Sequence, residues 1–209
     1  MSFLLLWLGV MFPLVFSPGP ANIVFAASGA SVGVRRSIPL LLGIDTVFLM
    51  KSLLIGLGLG ALIHENPLVL QLLQVVGACY IMYLAKGFLK TSLHTANGQV
   101  KHLGFTDGVL IQLLNSKGWL LVLLMFSLFS EKAQQEFGEH AIWVLVAWLA
   151  VLNILMHLVW IWAGGLLAKL SGNRKNQKIQ GLIYFALMMV VAFWLLVDNP
   201  LWQQLIPVG

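Results

Sequence analysis

Charge is what this chain has least of. Only 9% of its 209 residues are charged, where ordinary globular chains carry about 25%. Hydrophobic residues make up 60%, and the mean hydropathy is +0.94. A soluble domain is excluded on those figures, and the length leaves no room for one beside a membrane core, so residues 1–209 are expected to form a single membrane domain. Cysteine is nearly missing too: one residue, Cys79, lies in an apolar run, which rules out an intrachain disulfide or a cysteine-cluster metal site. No Lys or Arg precedes Arg35, so the start lacks the charged head of a signal peptide and is expected to be the first span. The net charge of +5 is dispersed between apolar runs, unlike a nucleic-acid patch. Catalytic signatures are missing as well: there is no phosphate loop and no Gly-x-Ser-x-Gly turn, and His64-Glu65 lacks the second histidine of a zinc helix. No enzyme activity, metal or cofactor is expected.

What the chain does have is six apolar segments, at 3–30, 38–63, 68–89, 105–129, 141–170 and 179–197, each long enough to cross a bilayer. The connections between them alternate in charge. The first carries Arg35 and Arg36, the third Lys90 and Lys101 next to Lys86, and the fifth Lys169, Arg174, Lys175 and Lys178. The second has no basic residue, and the fourth, 130–140, sets Glu131, Glu136 and Glu139 against Lys132. Because positive loops stay in the cytoplasm, both termini are expected outside an inner membrane.

Two spans carry a break near mid-depth. From Phe3 to Ala30 there is no charge, and one straight helix of that length would run about 40 Å, beyond the roughly 30 Å of a bilayer core. Pro18 and Pro20 deprive the carbonyls of Leu14 and Phe16 of helical donors and push Ser17 and Gly19 out of the helical region. The helix is expected to restart with Pro20 at its first position, offering free N–H groups to a carboxylate, with Gly19 open to close approach. A kinked helix with no ligand is the plain alternative. Span four is interrupted at Asn115-Ser116-Lys117-Gly118, about 18 Å from its cytoplasmic end. Spans one and four run in opposite directions. The expected fold is therefore all-α, with six transmembrane helices as two inverted three-helix repeats, about 1–91 and 104–197, and helices one and four interrupted. That is the architecture in which transporters place their substrate.

Asp45, Lys51, Asp107 and Lys117 are charges within spans, where they face a bundle interior, a cavity or each other. Asp107 and Lys51 lie where they can snorkel to an interface, but Asp45 and Lys117 do not. Either Asp45 and Lys117 form a structural ion pair, or Lys117 and the restarting helix hold an anionic group while Asp45 takes an ammonium or a proton. Asn153 and His157 stand one turn apart in span five and, with Asn115 and Asn22, make a polar lining; a packed structural histidine is the simpler reading. Gly56, Gly58 and Gly60, with Gly164-Gly165, suit close helix packing, and the Gly56/Gly60 spacing is compatible with a homodimer.

Ser17-Pro18-Gly19-Pro20 followed by Gly33 and Arg35, the run Gly77 to Lys86, and Gly104-Phe105 through Asn115-Ser116-Lys117 together resemble the LysE/RhtB family of amino-acid exporters. The chain departs from that pattern at Ser116, where the family has proline, a variant similar to the cysteine and O-acetylserine exporter branch. The resemblance implies proton-driven efflux of amino acids or close derivatives from the cytoplasm. The helix breaks and mid-span polar groups together give Pro18, Gly19, Pro20, Asn22, Asp45, Asn115, Lys117, Asn153 and His157 as the expected substrate site. The alternatives are an inorganic-cation exporter of the cadmium type, which wants clustered soft or acidic ligands, and a membrane assembly subunit without transport.

Overall fold

A computed structural model describes residues 2–59, 67–93, 102–170, 174–197 and 199–201, and within these every regular element is helical. Helix α1 (Phe3–Phe16) stops at Ser17-Pro18-Gly19, and α2 (Pro20–Leu54) restarts on Pro20 with Gly19 as its extended cap. At 14 residues, α1 is about 21 Å long and cannot cross a membrane alone. The first connection is far shorter than the segment limits suggested, because residues 31–37 are helical except at Gly33, with φ 78° and ψ 172°. That left-handed φ costs glycine nothing and strains other residues, so α2 doubles as the second half of span one and most of span two. Across the turn, Ser28 Oγ and Ser37 Oγ lie 2.8 Å apart, and Ser37 Oγ also donates to Gly33 O.

A π-helical turn (Ile55–Leu59) follows α2 in the second apolar segment, and α3 (Pro67–Leu93) covers the third. Span four is α4 (Phe105–Leu114) and α5 (Ser116–Phe137), parted at the extended Asn115. Helix α5 runs past the expected end at 129, so Glu131, Lys132 and Glu136 sit on helix rather than in a loop. The reason is packing plus propensity: Ala133 is buried, Phe137 meets Phe3 and Trp148, and the intervening residues are good helix formers. A single turn, Gly138–His140, leads into α6 (Ala141–Leu170), and α7 (Arg174–Val197) follows.

Contacts fix the relative directions of the spans. Trp148 meets Phe3 and Trp7, Trp160 meets Phe16, and Ile161 meets Gly29, so α6 runs parallel to span one. Span four runs against span one, Phe129 meeting Phe3 and Lys117 meeting Ser17. Gln74 bonds to Leu195 O and Asn199 to Gln71 O, so α3 and α7 are antiparallel. The exposed Arg35, Arg36, Lys86 and Lys169 thus gather at one end, and Glu131, Glu136 and Glu139 at the other.

At the basic end the helices touch backbone to backbone. A Cβ on Gly29 would lie 1.9 Å from Ile161 O, one on Gly164 1.9 Å from Ala26 O, and one on Gly108 2.4 Å from Leu40 O. Gly56 is likewise used inside the chain, under Phe126 and Ile142, and not on a free face; Gly60 lies outside the described residues. The core is apolar but also holds a polar cluster, and large apolar side chains cover much of the surface. Asn22, Lys51, Gln112, Asn115, Asn153 and His157 are buried, while Leu42, Leu120, Leu128, Val190, Phe193 and Trp194 are exposed, as a lipid-facing surface requires.

Candidate functional site

The two breaks meet. Lys117, on the first turn of α5, crosses to the end of α1 and donates to Ser17 O at 2.7 Å and Ser17 Oγ at 2.8 Å. Its stem passes over Gly19, where a Cβ would lie 2.8 Å from Lys117 Cδ. The close approach that Gly19 permits is therefore filled by a protein side chain in this conformation. The alternative Asp45–Lys117 ion pair is not formed: Lys117 is held by Ser17, and Asp45 pairs with His157.

Each carbonyl that the prolines release at the end of α1 finds a donor. Leu14 O accepts from Ser17 Oγ at 2.8 Å, Phe16 O from Trp160 Nε1 at 3.3 Å, and Val15 O and Ser17 O from Asn22 Nδ2, both at 3.0 Å. Asn22 therefore braces the break in addition to lining the site. Gly19 has no side chain to cap α2, so the amides of Ala21 and Asn22, in the first turn after the donorless Pro20, have no intrahelical acceptor.

Asn115 makes the second break without a proline. Its Oδ1 accepts from Gly118 N, capping α5, and its Nδ2 donates to Gln112 Oε1 at 3.0 Å. Ser116 is the first residue of α5, the position at which proline is also tolerated. Lys51, which was expected to reach an interface, is instead 2% exposed. Its Nζ donates to Gln112 O and lies 4.3 Å from the centre of the Trp119 ring. Asp107, partly exposed in the first turn of α4, caps its own helix, accepting from Gly104 N at 2.9 Å. Lys51 and Gln112 are the functional-site candidates the sequence reading missed. A charge in mid-span was the only signal for Lys51, and nothing marked Gln112.

Asn153 and His157, one turn apart on α6, meet Asp45 of α2. His157 Nδ1 lies 2.8 Å from Asp45 Oδ1, which also accepts from Asn153 Nδ2 at 2.9 Å. The imidazole packs on Phe25 with ring centres 4.4 Å apart, and Asp45 Oδ2 is buried without a hydrogen-bond partner among the described residues.

Two cavities meet at Lys117. A narrow chamber of about 30 Å³ is lined by Asn22, Gln112, Asn115, Lys117, Asn153 and His157, with Gly19, Pro20 and the apolar Val15, Phe48 and Leu121; it holds a water or two and no amino acid. A crevice of about 520 Å³ has Ser17, Gln74, Lys117, Leu124 and the exposed Trp194 in its walls. Pro18 faces only the crevice, while Gly19, Pro20 and Lys117 border both. Among the described residues, no three of His, Cys, Asp and Glu come together as metal ligands.

Residues 12–199 match the family model described as LysE type translocator. The chain belongs to that family. This LysE-type translocator is 27% identical over 180 residues to a cysteine/O-acetylserine efflux protein of Klebsiella pneumoniae, covering 84% of this chain and 90% of the relative. A cysteine/O-acetylserine efflux protein of Salmonella typhimurium is 30% identical over 152 residues, 72% of this chain and 76% of its own. An uncharacterized membrane protein of Vibrio cholerae is 26% identical over 143 residues, 64% and 69% of the two chains. No solved structure matches this translocator.

Proposed function

We propose that this translocator exports amino acids or small amino-acid derivatives across the cytoplasmic membrane, coupled to protons, by alternating access between two inverted three-span halves. The observation that carries the reading is Lys117: an ammonium at the meeting of two antiparallel broken helices, held by a neutral serine that a carboxylate can displace. The carboxylate would then lie between Lys117 and the open amides of Ala21 and Asn22, where the partial positive charge of the α2 terminus favours an anion. Asn115, Asn153 and His157 contribute polar walls. Asp45, with one buried oxygen uncommitted, receives the substrate ammonium or the coupling proton.

In this reading, backbone contact at the basic end shuts the site toward the cytoplasm, and the crevice walled by Gln74, Leu124 and Trp194 lies on the other side. The names of the Klebsiella and Salmonella relatives support amino-acid cargo. Purified protein in liposomes, loaded in turn with a panel of amino acids under an imposed pH gradient, tests the proposal. Uptake or release of at least one zwitterionic amino acid that accelerates with the gradient is the expected result; silence across the panel would overturn it.

A further inference from the structure

A broken membrane helix ends its first half in carbonyl groups that carry partial negative charge, and in discontinuous-helix transporters such ends hold the coupling cation. This chain has two such ends, at Ser17 on α1 and at Gln112 near the end of α4, and a lysine ammonium donates to each: Lys117 to Ser17 O and Lys51 to Gln112 O. Lys51 has no role in the transport reading above. It is buried, its ammonium lies over the Trp119 ring, and no carboxylate of the described residues is within ion-pair reach. Its charge is compensated by a helix end and an aromatic face.

From these contacts we propose that Lys51 is a built-in cation that occupies the seat at the α4 end, and that transport therefore needs no sodium ion. Lys51 is then a positioning residue. By holding Gln112 O it fixes the end of α4; Gln112 Oε1 accepts from Asn115 Nδ2, Asn115 Oδ1 caps Gly118, and Lys117 is carried between those two caps. Trp119 closes the arrangement from the other side, its indole N–H donating to Leu113 O at 3.0 Å while its ring receives the Lys51 ammonium. Gln112 O also accepts from Asn115 N at 3.3 Å and Gly118 N also donates to Asn115 O at 3.1 Å, so Lys51 and Asn115 Oδ1 add side-chain partners to groups the backbone already serves, while Leu113 O is bound by Trp119.

The inference rests on the transport reading, and liposome flux separates the two. Wild-type protein should move its amino acid equally well with sodium or choline as the outside cation. Lys51→Ala should lower turnover by about tenfold or more, the scale of a lost charge-assisted hydrogen bond, at an unchanged substrate KM. Lys51→Arg, which keeps the charge, should stay within about threefold of wild type, as expected of a charge-assisted contact made in altered geometry. Sodium stimulation of the wild type, or full turnover by Lys51→Ala, overturns the proposal. Because the wild-type cation comparison needs no variant, poor folding of Lys51→Ala leaves the test intact. No flux by the wild type in either medium would remove the transport reading instead.

Discussion

Lys117 and Gly19 act as one unit, since the lysine stem occupies the space a side chain at 19 would need. Gly19→Ala should displace Lys117 from Ser17 and reduce efflux as severely as Lys117→Ala, with both variants still inserting in the membrane. Flux and membrane yield, measured side by side, check this; a fully active Gly19→Ala would show that the lysine's present seat is irrelevant to transport. Asp45→Asn removes the charge facing His157 while keeping the shape. Breaking a buried pair of this kind costs about 3–5 kcal/mol where both groups are charged, so efflux should be lost and the detergent-solubilised protein should melt earlier. Mid-span charge made Asp45 and Lys117 visible from sequence, because few residue types are so costly in lipid. Which partner each chose was not visible, since the partners lie 100 and 112 positions away and one of them is a backbone carbonyl.

At the level of elements, the breaks are held open by side chains that satisfy the freed backbone, which hydrocarbon would not do. The proline-bearing break could be read from the chain, down to the carbonyls of Leu14 and Phe16. The Asn115 break has no proline to announce it, and an asparagine cap plus a buried lysine produce the same result. Ser116→Pro should accordingly be tolerated, because position 116 opens α5 and Asn115 already has the extended backbone that a following proline requires. Transport within about twofold of wild type and no loss of melting temperature are expected, since proline at a compatible position shifts stability by about 1 kcal/mol at most. Close helix crossing gives a second test. Gly164→Ala places a methyl against Ala26 O and should destabilise by about 1–3 kcal/mol, read as a lower melting temperature, while Gly9→Ala, with nothing within 4 Å, should not.

On the scale of the whole molecule, the alternation of basic and acidic connections predicts which end faces the cytoplasm. In a background with Cys79 replaced by serine, a cysteine at Glu136 should react with a membrane-impermeant thiol reagent applied to intact cells, and one at Arg36 should react only after permeabilisation. The reverse pattern would invert the proposed direction of export. Contacts along parallel α6 and span one, and along antiparallel α3 and α7, give the same alternating directions as the charge pattern does. Segment limits were read less well: the first connection contracts to Gly33, and α5 continues to Phe137. Hydropathy marks where lipid ends, and a helix need not end there when its next turns pack on Phe3 and Trp148.

The amino-acid sequence by itself determined that this chain is helical and belongs in a membrane, and that helix one breaks at Pro18 and Pro20, because burial of charge and loss of an amide donor are local costs that no fold can avoid. Only the tertiary structure decided that Lys117 answers to Ser17, Asp45 to His157 and Lys51 to Gln112. Those choices depend on which helices lie side by side, and a buried ammonium can take either a carboxylate or the carbonyl end of a broken helix as its partner.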